Sequence, residues 1–259
     1  MAPSVTETLF ALGLGPRVVG VSRYCQYPPE ARQKPRVGGF LDPNFEAIVA
    51  LRPDLVVVLE GNTDATSAFE TLQLPTLTVD HRGLDGLLES ITTFGRTFGV
   101  EKEADILLGK IQAQLNAVEK KIAQRARPRV LISVDRAPGT GRLQDVYVVG
   151  HDGHLDRVLE LAGGQNAFPR RDVRFPVVSA EGILEINPEV IIDVVPEATV
   201  ARLGEATLLA DWNQVADVEA VRGGRVHLLT DDHATIPGPA FIELVEWLAA
   251  RLHPEPDQP

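Results

Sequence analysis

Two spacings of apolar residues organise this chain. Short unbroken runs of branched apolar residues predict strands at 17–22, 55–60, 75–80, 129–135, 146–150 and 225–230. Between them, apolar residues recurring at three and four positions predict helices: PSVTETLFALG near the start, 84–99, GHLDRVLELAGG, and the closing PAFIELVEWLAARLH. The first helix carries a capping-box pattern from Ser4 to Glu7, with Gly13 as its stop. The longest helical signal runs over 101–126, with Leu107, Ile111, Leu115, Val118 and Ile122 on one stripe and no helix breaker between Gly109 and Pro128. A helix of about 25 residues spans close to 40 Å at about 1.5 Å per residue, too long for an ordinary crossover between strands.

One pattern occurs twice. NFEAIVALRPDLVVV begins at Asn44 and SAEGILEINPEVIID at Ser179, 135 positions later (179 minus 44). Each opens on a side chain able to cap a helix, Asn44 or Ser179, and places a glutamate, Glu46 or Glu181, in the first turn, where negative charge suits the helix dipole. Each short apolar helix stops at a proline, Pro53 or Pro188, and is followed by a run that reads as a strand buried on both faces. The repeated unit is helix, tight turn, buried strand. Strand–helix alternation on both sides of the long helix therefore predicts an α/β protein: two three-layer lobes, 1–100 and 128–259, joined by a bridging helix over 101–127. Open α/β sheets bind ligands beyond the carboxyl ends of their strands, so the loops there are the first place to look for a site.

Composition narrows the function. The 259 residues carry a net charge of −11, which argues against a nucleic-acid surface. No apolar run approaches the roughly 20 residues a membrane span needs, and one cysteine, Cys25, excludes an internal disulfide. Catalytic signatures are missing: neither nucleotide-binding glycine motif, no nucleophile elbow and no zinc-protease motif occurs. The glycine pairs in VGGF and AGGQN read as turns. His151 and His154 flank a helix start and read as a cap region rather than a metal site; Cys25 has no histidine or aspartate nearby in sequence.

With these features in place, the stretch APSVTETLFALGLGPRVVGVSRYCQYPPEARQKPRVGGFLDPNFEAIVALRPDLVVV resembles the N-terminal lobe of the ABC-importer substrate-binding proteins that capture vitamin B12, haem and ferric siderophores. VYVVGHDGHLDRVLELAGGQNAF, VSAEGILEINPEVIID and IPGPAFIELVEWLAARLHPE resemble the C-terminal lobe of the same class, closest to its cobalamin-binding branch. The resemblance implies two lobes bridged by one long helix, no catalysis, and delivery of a chelate, with a corrinoid favoured, to a membrane permease dimer. A ferric-siderophore or haem receptor is the same-fold alternative; a zinc or manganese receptor and a chelatase-like enzyme are more distant ones. It implies a monomer outside the cytoplasmic membrane, periplasmic or held to the cell surface, with no tightly bound cofactor. It also implies a secretory segment and a first strand upstream of this sequence.

Residue by residue, the resemblance assigns Tyr24 and Phe175 to aromatic pocket positions and Asp232 to an acidic one. Leu59 stands where the cobalamin binder has a tryptophan. Glu46 and Glu181 match surface glutamates that dock into arginine pockets of the two permease subunits. Phe40, Asn62, Arg136 and His233 join the ligand set by position alone. Arg136 is either a partner for a ligand carboxylate or a solvated loop arginine, and His233 is a candidate axial ligand to cobalt or iron.

Overall fold

The structure, a computed structural model, describes residues 2–61, 63–231 and 235–254. The chain divides into two compact units: Met1–Gln114 with Ile236–Phe241, and Leu115–Thr235 with Ile242–Pro259.

The first unit opens with α1 (Pro3–Ala11). Proline at its first position loses nothing, because that N–H would have no helical partner. The expected capping box does not form: Ser4 and Glu7 lie inside the helix, both buried, and Ala2 occupies the cap. Gly13, at φ 75°, does take the left-handed conformation that ends the helix. The strand expected over 17–22 is reduced to a single bridge between Val21 and Arg36 after a 3-10 turn at Gly15–Arg17. A strand exists only through its ladder, and Val18–Gly20 form no ladder pairs among the described residues. They line instead a cavity of about 130 Å³, with Val56 and Val57 also on its wall.

α2 (Phe45–Ala50) leads into β1 (Val56–Leu59), then α3 (Thr63–Thr71) and β2 (Thr76–Val79). The strands pair in parallel, Val56 opposite Thr76 through Leu59 opposite Val79. The core here is Val37, Ile48, Val56, Val58, Ala65 and Phe69, with Phe45 edge-on to Phe69 at 5.3 Å between ring centroids. α4 (Leu84–Phe98) buries Leu87, Ile91 and Phe94, the three-and-four stripe of its sequence, and ends on Gly99 at φ 69°.

α5 (Glu101–Ile122) is unbroken, and the division between the two units falls inside it, after Gln114. It ends four residues before the expected Ala126 (126 minus 122). Of its predicted stripe, Ile111 and Val118 are buried, while Leu107, Leu115 and Ile122 are half-buried.

The second unit holds β3 (Arg129–Asp135), β4 (Val146–Val148), α6 (His154–Leu161), β5 (Gln165–Asn166), β6 (Val177–Val178), α7 (Ala180–Ile186) and β7 (Val190–Val194). α8 (Glu197–Leu203), α9 (Glu205–Ala210), α10 (Glu219–Arg222), β8 (Val226–Leu229) and α11 (Phe241–Leu252) follow. The sheet order is β6-β4-β3-β7-β8, with β5 also on β3. β3, β7 and β8 run parallel, whereas β4 pairs antiparallel with both its neighbours, β3 and β6. Burial follows from this. Ile191 and Ile192 in central β7 are fully buried, as a strand covered on both faces requires, whereas β4 buries only Val146 and Val148 and exposes Tyr147.

The stretch 236–241 belongs to the first unit, not to the C-terminal lobe as its place in the sequence suggests. The reason lies in α1. The buried Glu7 carboxylate accepts the Ala240 amide at 2.6 Å, and any Cβ on Gly238 would stand 2.2 Å from Glu7 Oε2. Only glycine allows that approach.

Candidate functional site

The two copies of the repeat fold alike. Asn44 Oδ1 accepts the Ala47 amide at 2.9 Å to cap α2, and Ser179 Oγ accepts the Gly182 amide at 3.3 Å to cap α7. Each stops through a left-handed residue just before its proline, Arg52 at φ 49° and Asn187 at φ 45°, because the residue before proline is kept from the helical region. Each then enters a buried strand, β1 or β7. Glu46 and Glu181 sit in the first turns and are exposed. The Glu181 carboxyl is held below the usual glutamate range by its own backbone amide and by the Ser179 hydroxyl. A solvated anion at a capped helix start is an arrangement suited to meeting a cation supplied from outside.

Two loops of the first unit carry the aromatic candidates. Tyr24 is 59% exposed, with the Arg23 guanidinium 5.7 Å from its ring centroid and ion-paired to Asp42. The 38–43 turn is closed by the Gly39 amide on the Asp42 carbonyl at 3.1 Å and by a bridge between Gly38 and Pro43. Gly38 has φ 90°, and a Cβ there would meet Asp42 O at 2.5 Å. A Cβ on Gly39 would lie 3.1 Å from the Tyr24 ring, so the loops carrying Tyr24 and Phe40 pack together. Phe40 is half-buried and Leu41 is 85% exposed.

In the second unit Phe175 is 58% exposed. Its segment is pinned on both sides, by Val148 N–H to Pro176 O at 2.9 Å and Gly150 N–H to Arg174 O at 2.7 Å. Gly150 is required there, since a Cβ would come within 1.9 Å of the Val173 carbonyl.

Arg136 is not a solvated loop arginine. It is buried at the end of β3. Its Nε and Nη2 meet Asp193 at 3.0 and 2.7 Å, its Nη1 meets Asp211 at 2.5 Å, and Nη2 also donates to the Leu208 carbonyl at 3.1 Å. Asp193 further accepts Trp212 Nε1 at 3.0 Å, and Asp211 accepts the amides of Gly139 and Gly141 at 2.6 and 2.7 Å. Burial raises the Asp211 pKa, but the Gly139 amide, Arg136 and the Gly141 amide outweigh it and hold the carboxyl below its ordinary range. This network ties the 137–143 loop to the fold, and its partners are far apart in sequence. Three further candidates, Asn62, Asp232 and His233, lie outside the described residues.

The histidine pair is structural. His151 Nε2 donates to the Phe168 carbonyl at 2.7 Å, and burial pushes His154 down to about 4. Cys25 is buried between the hydroxyls of Thr6 and Ser22, at 3.1 and 3.2 Å. Among the described residues no group of three or more His, Cys, Asp or Glu could hold a metal ion, and no helix is long and apolar enough to cross a membrane.

The profile of a family described as Periplasmic binding protein matches residues 1–233. The chain belongs to that family. This periplasmic binding protein is 30% identical to an uncharacterized ABC transporter substrate-binding lipoprotein, YvrC of Bacillus subtilis, over 98% of this chain and 79% of the relative. It is 29% identical to a cobalamin-binding protein of Halobacterium salinarum, over 97% of this chain and 68% of the relative. Its fold matches the periplasmic haem-binding protein BhuT in complex with two haems, at TM-score 0.82 and 27% identity, over 97% of this chain and 95% of that one. The vitamin B12-binding protein BtuF of Vibrio cholerae gives TM-score 0.81 at 24% identity, with 97% and 94% covered, a likeness of fold. The protein is thus a substrate-binding protein of an ABC transporter, a class that binds and does not catalyse, and a permease partner is implied.

Proposed function

We propose that this protein captures a metal chelate, a corrinoid first and haem or a ferric siderophore next, and passes it to a permease dimer. The observation that carries the reading is the pair of exposed aromatic side chains, Tyr24 and Phe175, held out on pinned loops of the two units. A large aromatic ring left more than half exposed forgoes the burial that normally stabilises a fold, and it is suited to gripping a wide, flat ligand. Relatives that bind cobalamin or haem support the same chemistry.

In this reading Tyr24, Phe40 and Phe175 contact the ligand, with Asn62, Asp232 and His233 as further members. The two units act as lobes bridged by α5, and a monomer works outside the cytoplasmic membrane. Glu46 and Glu181 engage one permease subunit each, which gives the repeated pattern its purpose: a pseudo-symmetric receptor for a symmetric channel.

Calorimetric titration with cyanocobalamin, cobinamide, haemin and a ferric siderophore tests it. Binding at micromolar affinity or better to at least one is expected, and Tyr24→Ala or Phe175→Ala should each weaken it by about 1–3 kcal/mol through lost aromatic burial. Failure of all four ligands to bind would remove the proposal.

A further inference from the structure

Tyr147 sits in the middle of β4, in the run VYVVG that the sequence marks only as a strand. Its neighbours Val146 and Val148 are fully buried, yet Tyr147 is 42% exposed. The antiparallel register sets it directly opposite Val177 of β6, itself 49% exposed. The same hydrogen-bonded pattern continues past β6 through Pro176 and Arg174, so the alternation of side chains brings Phe175 to that face as well. Exposure follows the alternation from 175 to 178, with 175 and 177 exposed and 176 and 178 buried, while Val149, just past β4 on the Tyr147 face, is buried. On its other side Tyr147 pairs with Asp135, the last residue of β3. Tyr147 therefore lies at the carboxyl end of a strand in the parallel part of the sheet, where α/β sheets receive ligands, and Val177 and Phe175 extend the face from there along β6 and the segment before it.

We propose that Tyr147, with Val177 and Phe175, forms one apolar wall against which the flat face of the macrocycle rests, and that Tyr147 acts through its ring. This rests on the receptor function proposed above and adds to it a contact residue. Position selects the occupant, because the face is continuous with Phe175, the aromatic of this unit that the receptor reading already assigns to the ligand. A cross-strand pair of Tyr and Val would not remain exposed to benefit the core, since both side chains point away from it.

The test compares Tyr147→Ala, Tyr147→Phe and Phe175→Ala with the wild type, titrated with cyanocobalamin and with haemin. Tyr147→Ala should weaken the ligand that binds by about 10-fold, equivalent to about 1.4 kcal/mol. Tyr147→Phe should stay within about twofold, because the ring is retained. The urea midpoint should move by no more than about 0.5 M in either variant, since an exposed cross-strand pair contributes only about 0.2–1 kcal/mol. Wild-type affinity in Tyr147→Ala while Phe175→Ala loses binding would overturn the wall. An equal loss in Tyr147→Phe would overturn the ring role in favour of the hydroxyl. Concentration-dependent dimers that Tyr147→Ala abolishes would assign the face to a second copy of the chain instead. If the wild type binds neither probe, the corrinoid and haem readings fall and this inference with them; if it binds one and Tyr147 is inert, the inference alone falls.

Discussion

Replacing Arg136 by alanine separates a structural role from a ligand-binding one. The side chains of Arg136, Asp193 and Asp211 are 3%, 0% and 1% exposed, so removing the guanidinium strands two carboxylates with almost no access to water. Breaking a buried ion pair from one side costs about 3–5 kcal/mol. Both tryptophans of the chain, Trp212 and Trp247, lie in the second unit, and Trp212 donates to Asp193 itself. Tryptophan fluorescence in a urea titration therefore reports on the unit that contains the network. With a urea slope of about 2–3 kcal/mol/M, the midpoint should fall by about 1–2.5 M. Arg136→Lys should recover only part of this, since an ammonium is a point charge and cannot span two carboxylates as the planar fork does. A midpoint within about 0.3 M of wild type, urea slope unchanged, together with a large loss of ligand affinity, would refute the structural assignment and return Arg136 to the ligand.

Glu46→Ala and Glu181→Ala should leave folding and ligand affinity nearly unchanged, because an exposed charge at a helix start contributes only about 0.3–1 kcal/mol. In reconstituted vesicles the double variant should lose stimulated transport while still binding its chelate; full transport would reduce the repeat to a shared way of starting a helix. His154, pushed from 6.5 to about 4 by burial, stays neutral in the fold but protonates when unfolded, so stability should fall as pH drops from about 6.5 to about 4, by up to about 3 kcal/mol. His154→Leu should flatten that part of the pH–stability profile, and an unchanged profile would show that His154 does not cause the dependence. Gly150→Ala, whose Cβ would meet Val173 O at 1.9 Å, should displace the segment bearing Phe175 and weaken both stability and ligand binding, measured by thermal melting and calorimetry.

Much of the local structure was legible in the chain because its causes are local. Three-and-four spacing marked α4 and α5, side-chain oxygens marked the starts of α2 and α7, and unbroken branched runs marked β1, β3 and β7. The repeat with its paired glutamates was readable for the same reason, since a cap, a first-turn charge and a stop before proline all act within about fifteen residues. What depended on partners distant in sequence was not. Val18–Gly20 have strand composition but no ladder among the described residues, and β4 runs antiparallel to both β3 and β6 because strand pairing is a choice made in space. Glu7 read as half of a helix cap, yet it is buried and holds residues 238–240 more than two hundred positions away. Arg136 read as a loop cation, and only Asp193 and Asp211, brought up from β7 and the turn after α9, make it a buried one. Tyr147 was hidden for the opposite reason: a strand's sequence alternates, but which face is left open is decided by what the rest of the chain packs against.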